Sequence, residues 1–236
     1  MEIKKFRNTD QIAEELSQLI LGLASENKSH RIDIALSGGN TPKMIFNYLA
    51  GKYGTTLANP FIHFWWVDER CVPPTHPDSN FKWAYELWLQ PIGVPHGNIH
   101  RIIGENEPQH EAIRYAAEIN GIVRQHNGIP CFDLIVLGLG DDGHTASIFP
   151  NQMQLLTSDN WCEVATHPAS GQQRITITGK VLNNARQVVF ITTGADKAKI
   201  VKEVIVDRNM DYPASNINPI NDKLTWHLDE AAAKYL

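Results

Sequence analysis

Apolar and polar positions alternate along the chain with two periods. Residues 10–25 carry Ile12, Leu16, Leu19, Ile20 and Leu23 at helical spacing, and Asp10 stands where a cap is needed, which predicts an amphipathic helix. Residues 31–36 read as a strand, and Met44, Ile45, Tyr48 and Leu49 mark a helix after it. Residues 61–67 read as a second strand. Phe81, Trp83, Tyr85, Leu87, Trp88 and Leu89 then make an aromatic helix whose stripe is expected in the core, and residues 107–127 read as a long polar-faced helix. The apolar, β-branched run 132–137 is the pattern of a strand buried on both faces. Beyond it lie a polar loop at 151–160 and a strand at 161–165, followed by a period-two strand at 174–178 and a short helix at 181–185. A buried strand at 188–193, a helix from 195 to about 206 and a short helix from Pro213 come next. A last strand at 224–228 ends at Asp229, placed to cap a terminal helix. Strand and helix alternate without linker, repeat or low-complexity segment. That predicts a single α/β domain over residues 1–236, built on one doubly wound, mostly parallel sheet.

The predicted strands end in polar residues. Ser37-Gly38-Gly39-Asn40-Thr41-Pro42 follows the first, Asp68-Glu69-Arg70 the second, and Gly138-Leu139-Gly140-Asp141-Asp142-Gly143-His144 the strand at 132–137. In a doubly wound fold these ends share one edge, where ligands bind. The first loop has two glycines for close backbone approach, Thr41 as a cap and Pro42 in a first helical turn. It reads equally as an anion cradle at a helix start or as a tight turn without a ligand. It lacks the Gly-Lys-Ser/Thr of a Walker A loop. Gly138-x-Gly140-x-x-Gly143 satisfies the dinucleotide pattern after a strand. Asp141 and Asp142 would repel a pyrophosphate there, and Pro150 leaves little room for the helix that should receive it. A nucleotide site is therefore disfavoured.

Composition narrows the partners. Among 236 residues, 42% are hydrophobic and 20% charged, and the net charge is -5, so the surface as a whole does not invite nucleic acid. An anionic substrate would need a local cluster of donors. The N-terminus has no apolar h-region and no run approaches transmembrane length. Cys71, Cys131 and Cys162 lack C-x-x-C spacing and fit a reducing, cytoplasmic location, with Cys131 in the core and Cys71 an inert thiol in a polar loop. His76, His96 and His100 lie in Pro/Gly-rich connections without metal-site spacing and are expected at the surface.

Six blocks stand in the order found in the 6-phosphogluconolactonase family, and the chain resembles it from about Ser37 to the Trp226…Asp229 segment. The blocks are Ser37-Gly38-Gly39-Asn40-Thr41-Pro42, Asp68-Glu69-Arg70, Ser79-Asn80, the run 138–150, Arg174-Ile175-Thr176 and Asp196-Lys197-Ala198. The resemblance implies a Rossmann-like fold and hydrolysis of 6-phosphoglucono-δ-lactone to 6-phosphogluconate in the oxidative pentose phosphate pathway. It implies no cofactor and no metal, a phosphosugar lactone as partner, and a monomer or small homo-oligomer. A sister family, glucosamine-6-phosphate deaminase, looks similar in its Ser-Gly-Gly…Thr-Pro loop, Asp-Glu pair and Asp-Gly-His. That family carries a carboxylate five residues beyond the histidine, where this chain has Phe149, and tends to have Tyr where this chain has Arg70. A phosphosugar sensor would need a DNA-binding segment, and residues 1–30 offer neither a second helix nor a basic patch.

Lactone hydrolysis needs a base for water, a donor for the oxyanion and a proton for the leaving oxygen. His144 is the candidate base and then acid. Asp142 is the candidate orienter, or else a backbone acceptor in its turn. Arg70 is the candidate donor to the carbonyl or sugar oxygens, or else the partner of Asp68 or Glu69. The family likeness implies a phosphate held by backbone of Gly38 and Gly39, the Thr41 hydroxyl, Arg174 and Lys197. Ser37 and Asp68 belong to the same substrate-binding set, with Asn80 and Ser79 toward sugar hydroxyls.

Overall fold

The computed structural model describes residues 1–26, 30–221 and 223–236. Strands are numbered along the chain. The main sheet takes β1 (Glu2–Phe6), β2 (Ile32–Leu36), β3 (Ile62–Trp66), β5 (Ile99–His100), β8 (Leu134–Leu137), β11 (Val188–Thr192) and β12 (Leu224–Asp229). Their order is β1-β12-β11-β8-β2-β3-β5, and every neighbouring pair is parallel. Every residue of β2, β8 and β11 is buried, as their unbroken apolar runs require. From β2 the chain winds one way through β3 and β5, and from β8 the other way through β11 and β12. The reversal falls between β2 and β8, so the loops after these two strands flank a topological switch point.

Helices cover both faces: α1 (Thr9–Glu26), α2 (Asn40–Tyr53), α3 (Asn80–Ala84) running into a π turn at Tyr85–Leu89, α4 (Pro108–Ile122), α5 (Gly179–Asn183) and α6 (Ala198–Ile205). Phe46 of α2 stacks on Trp88 at 5.6 Å, and Trp88 meets Phe64 of β3 edge-on at 5.1 Å. On the opposite face Tyr115 of α4 lies 5.9 Å from Trp65, and its hydroxyl donates to the Trp66 carbonyl and accepts from the Trp66 N–H, both at 3.0 Å. The aromatic stripe is core only in part: Trp88 and Leu89 are buried, Phe81, Tyr85 and Leu87 pack half-buried against the core, and Trp83 stays at the surface, its indole N–H donating to the Pro77 carbonyl. Among the described residues, no helix is long and apolar enough to cross a membrane.

The structure departs from the sequence reading in several places. Residues 2–6 form β1, an edge strand whose Glu2, Lys4 and Lys5 suit an exposed position and hide its periodicity. The helix expected to 127 stops at Ile122. β6 (Gln125–His126) and β7 (Ile129–Pro130) then form a hairpin whose turn residues Asn127 and Gly128 have φ 53° and 76°. Asn8, not Asp10, caps α1 by accepting from the Gln11 N–H at 3.0 Å. Asp229 accepts from the Ala232 N–H at 2.7 Å, but only a turn follows it. His100 is buried, while His76 and His96 are exposed.

The main correction concerns residues 174–178. They do not join the large sheet. β10 (Gln173–Ile177) pairs antiparallel with β4 (Asp68–Arg70) and β9 (Cys162–Thr166) in a separate three-stranded sheet. β4 follows β3 after the single residue Val67, so the small sheet is seated beside the edge where β2 and β8 end.

Candidate active site

The loop after β8 folds back on itself. Gly140 N–H donates to the His144 carbonyl at 2.8 Å, and the Thr145 hydroxyl donates to the Gly138 carbonyl at 2.9 Å. The His144 ring lies directly on Gly140, where an added Cβ would stand 2.0 Å from Nδ1. Gly140 is therefore a seat for the imidazole, not a pyrophosphate contact. Asp142 Oδ1 lies 2.5 Å from His144 Nδ1 and also accepts from the His144 N–H at 3.2 Å. Asp142 thus makes both contacts expected of it, one to the ring nitrogen and one to backbone. Burial raises the Asp142 carboxyl, but the hydrogen bond and charge of His144 outweigh it and hold the group at about 2. The ionised carboxylate only accepts, so Nδ1 carries a hydrogen, and in the neutral imidazole Nε2 is the nitrogen with the free lone pair.

β4 and β10 supply the positive charge. Their register sets Arg70 opposite Arg174. Arg70 Nη1 donates to the Asp78 carbonyl at 2.6 Å, while Nε of Arg70 and Nε of Arg174 are buried without a partner. Among the described residues neither guanidinium forms an ion pair. The expected alternative, a pair with Asp68 or Glu69, is thus absent because both carboxylates are committed elsewhere. Glu69 collects N–H groups of Arg70, Asn80 and Phe81 at 2.7, 2.7 and 2.8 Å and the Ser79 hydroxyl at 2.9 Å. Burial nevertheless raises its pKa. Asp68 accepts from the Ser147 hydroxyl at 2.7 Å and from the Asn80 amide at 3.3 Å. Burial, and then the nearby Arg70 charge, lowers the pKa of Arg174. Asp68, Asp78 and Glu69 offset part of that charge from a distance, but two adjacent cations without a direct ion pair still favour a bound anion.

Ser37, Gly38, Gly39, Asp68, Arg70, Asn80, His144 and Arg174 line one cavity of ≈ 170 Å³, at the switch point between β2 and β8. Asp142 backs His144 from behind. Ser37 lends backbone rather than hydroxyl, since its Oγ donates to the Val136 carbonyl at 2.9 Å. Thr41 and Lys197 lie outside the lining. α2 begins one residue before Thr41 without a side-chain cap, and the Thr41 hydroxyl is 2.7 Å from that of Thr193. Lys197 donates to the Leu139 carbonyl at 2.9 Å and pairs with Asp141.

Phe149, the position that sets this chain apart from the deaminase pattern, lies behind the cavity lining rather than in it. It is fully buried, its ring 4.8 Å from that of His144 and 5.6 Å below the Arg174 guanidinium. Ser147, which holds Asp68, has no role in the sequence expectations; its one signal there is its place in the block that begins at Gly138.

Fold and cavity together define a class: doubly wound α/β proteins that can hold a small anion beside an ionisable His–Asp pair. Residues 7–226 match the family described as glucosamine-6-phosphate isomerases/6-phosphogluconolactonase, and the chain belongs to it. A 6-phosphogluconolactonase of Haemophilus influenzae is 42% identical over 211 residues, covering 88% of this chain and 89% of that one. The crystal structure described as that of devB protein superposes with TM-score 0.93 at 41% identity, over 100% of this chain and 99% of that one. The crystal structure of 6-phosphogluconolactonase from Leishmania guyanensis superposes with TM-score 0.87 at 27% identity, over 100% and 98%.

Proposed function

We propose that the chain is a 6-phosphogluconolactonase that hydrolyses 6-phosphoglucono-δ-lactone to 6-phosphogluconate in the pentose phosphate pathway, with His144 and Asp142 moving the protons. The observation that carries the site reading is the joint one. An Asp-backed imidazole and two unpaired guanidiniums face a single cavity. In the proposed cycle, water attacks the lactone carbonyl and gives its proton to His144 Nε2. Asp142 holds the imidazolium through Nδ1–H. Arg70 donates to the developing oxyanion, a role worth roughly 3–4 kcal/mol at comparable donors. The C1–ring oxygen bond then breaks, and Nε2–H returns the proton to the leaving oxygen. Backbone of Gly38 and Gly39 with Arg174 is the proposed phosphate set. Thr41 and Lys197 join it only by exchanging their present partners.

The deaminase reading would need a titrating group where Phe149 lies sealed under Arg174. A cytoplasmic location is part of the proposal, supported by three free cysteines. So are a monomer or small homo-oligomer and the absence of a nucleic-acid partner. The test is a pH-stat assay with freshly prepared 6-phosphogluconolactone, corrected for spontaneous hydrolysis. Acceleration that saturates with substrate is expected. No acceleration, or ammonia release from glucosamine 6-phosphate, would overturn the reading.

A further inference from the structure

The Asp142–Gly143–His144 turn is braced from outside the cavity, by a segment with no part in the roles above. Gly143 has φ 79°, the left-handed region, and so is strained for any side chain. It is also covered. A Cβ at this position would stand 2.4, 2.5 and 2.7 Å from Cδ1, Cγ and Cβ of Tyr212. The Tyr212 side chain, from its Cβ to the near edge of the ring, therefore packs directly against Gly143, the residue between Asp142 and His144. The next residue but one adds a second tie, since Ala214 N–H donates to the Gly143 carbonyl at 3.1 Å.

The brace is itself anchored. The Tyr212 hydroxyl donates to Glu203 of α6 at 2.7 Å. Asn216 holds the Tyr212 carbonyl at 2.9 Å and the Met210 carbonyl at 3.0 Å, and Tyr212 N–H donates to the Asn209 carbonyl at 3.2 Å. The turn that opens α6 supplies Lys197, which holds Leu139 and Asp141 on the other side of the same loop. The loop carrying the imidazole is thus gripped at two points by one unit. The loop's own hydrogen bonds hold Gly140 to His144 and Gly143 to Gly140, but none of them restrains the outer face of Gly143, which the Tyr212 segment covers. Without the ring on Gly143, the Asp142–His144 bond at 2.5 Å and the seat of the imidazole on Gly140 lose their outer wall.

We propose that Tyr212 is a positioning residue for His144: its ring, clamped on Gly143 and tied to Glu203, fixes the imidazole for proton transfer. This rests on the lactonase reading for its kinetic consequence but not for its structural one. A displacement of about 1 Å at a reacting group costs on the order of a hundredfold in rate, so the effect belongs in kcat rather than KM.

The test compares Tyr212→Ala, Tyr212→Leu and Tyr212→Phe in the full chain. Tyr212→Leu keeps most of the volume, so that loss of folding in the Ala variant leaves the question answerable. Two readouts are taken: kcat and KM for 6-phosphogluconolactone hydrolysis, and the downfield proton resonance of His144 Nδ1–H in the ligand-free protein. Tyr212→Leu is expected to lower kcat about ten- to a hundredfold with KM within about twofold, and to broaden or shift the Nδ1 proton. Tyr212→Phe, which keeps the ring, is expected to rescue most of both. Unchanged kcat and an unchanged Nδ1 resonance in folded Tyr212→Leu would overturn the proposal, as would a loss confined to KM. If the wild-type chain shows no lactonase activity while the Nδ1 resonance still depends on the Tyr212 ring, the lactonase reading fails and the positioning role stands.

Discussion

Arginine, histidine and carboxylate meet buried aromatic rings in two regions of the molecule, and the two are wired in opposite ways. Near the start of β2 and β3, Arg31 donates to Asp33 at 2.7 Å and to His100 Nε2 at 3.2 Å. His63 Nδ1 lies 3.0 Å from the same Nε2, and His100 Nδ1 lies 2.7 Å from Glu118. The His100 ring stacks on Trp65 at 4.0 Å, and Trp65 Nε1 donates to Asp33 at 2.8 Å. A guanidinium only donates, so His100 Nε2 accepts, its Nδ1–H faces Glu118, and His63 donates through Nδ1–H. Each donor in this chain meets an acceptor. Around the cavity after β2 and β8 the same residue types are left unfinished, with Nε of Arg70 and of Arg174 buried and unpartnered. Saturated polar groups hold a fold together. Neutral donors such as the indole N–H groups of Trp66, Trp88 and Trp226 are also buried without a partner, but an unpartnered guanidinium costs more, and an anion that pairs with it offsets that cost.

Breaking each region separates the two. His144→Ala is expected to lower kcat for lactone hydrolysis about 10²–10⁴-fold while the chain stays folded, with only the small drop in urea midpoint that loss of the partly exposed Asp142 contact brings, read by pH-stat and by fluorescence unfolding. Arg70→Ala is expected to cost about 10²–10³ in kcat, with stability unchanged or higher because one of two adjacent cations is gone. A large loss of stability in either would mean that the cavity is structural after all. Glu118→Ala is the reverse case. It leaves the His100 N–H buried without an acceptor and should cost roughly 1–3 kcal/mol in urea unfolding with kcat intact.

pH sharpens the contrast. Burial, followed for His63 by the charges of Arg31 and His100, pushes His63 and His227 down to about 4. The unfolded chain therefore binds more protons than the folded one between pH about 6.5 and 4. Their contribution is complete above about 6.5 and is lost as pH falls toward 4. Urea midpoints should drop from pH 7 to pH 5, and less so in His63→Asn. The smallest effect expected is for Lys197→Ala. Its ammonium is already held by Asp141 and Leu139, so kcat/KM should fall less than in Arg174→Ala. An equal fall would show that Lys197 leaves Asp141 for the substrate phosphate.

Much of this was legible in residue order. The strands at 31–36, 132–137 and 188–193 stand as read, because unbroken apolar runs have one outcome in a parallel sheet. The loops after them converge because strand ends must share an edge. Other features were less accessible. The 125–130 hairpin was hidden inside a polar helix pattern, though Asn127-Gly128 carried its turn signal. His100 was read as exposed because its partners, Arg31, His63 and Glu118, lie 69, 37 and 18 positions away.

The sequence by itself determined the alternation of strand and helix, the glycine that seats an imidazole, and the Asp-x-His spacing that brings Asp142 onto His144. All of these act within a few residues, where local geometry leaves little choice. Tertiary structure alone decided the rest. It moved Arg174 out of the parallel sheet and set it opposite Arg70, gave Asp68 and Glu69 other partners, withdrew Thr41 and Lys197 from the cavity wall, and laid Tyr212 on Gly143. Apart from Glu69–Ser79, at 10 positions, those pairings join residues 56 to 152 positions apart, and only the assembled packing settles which of the competing partners is nearer.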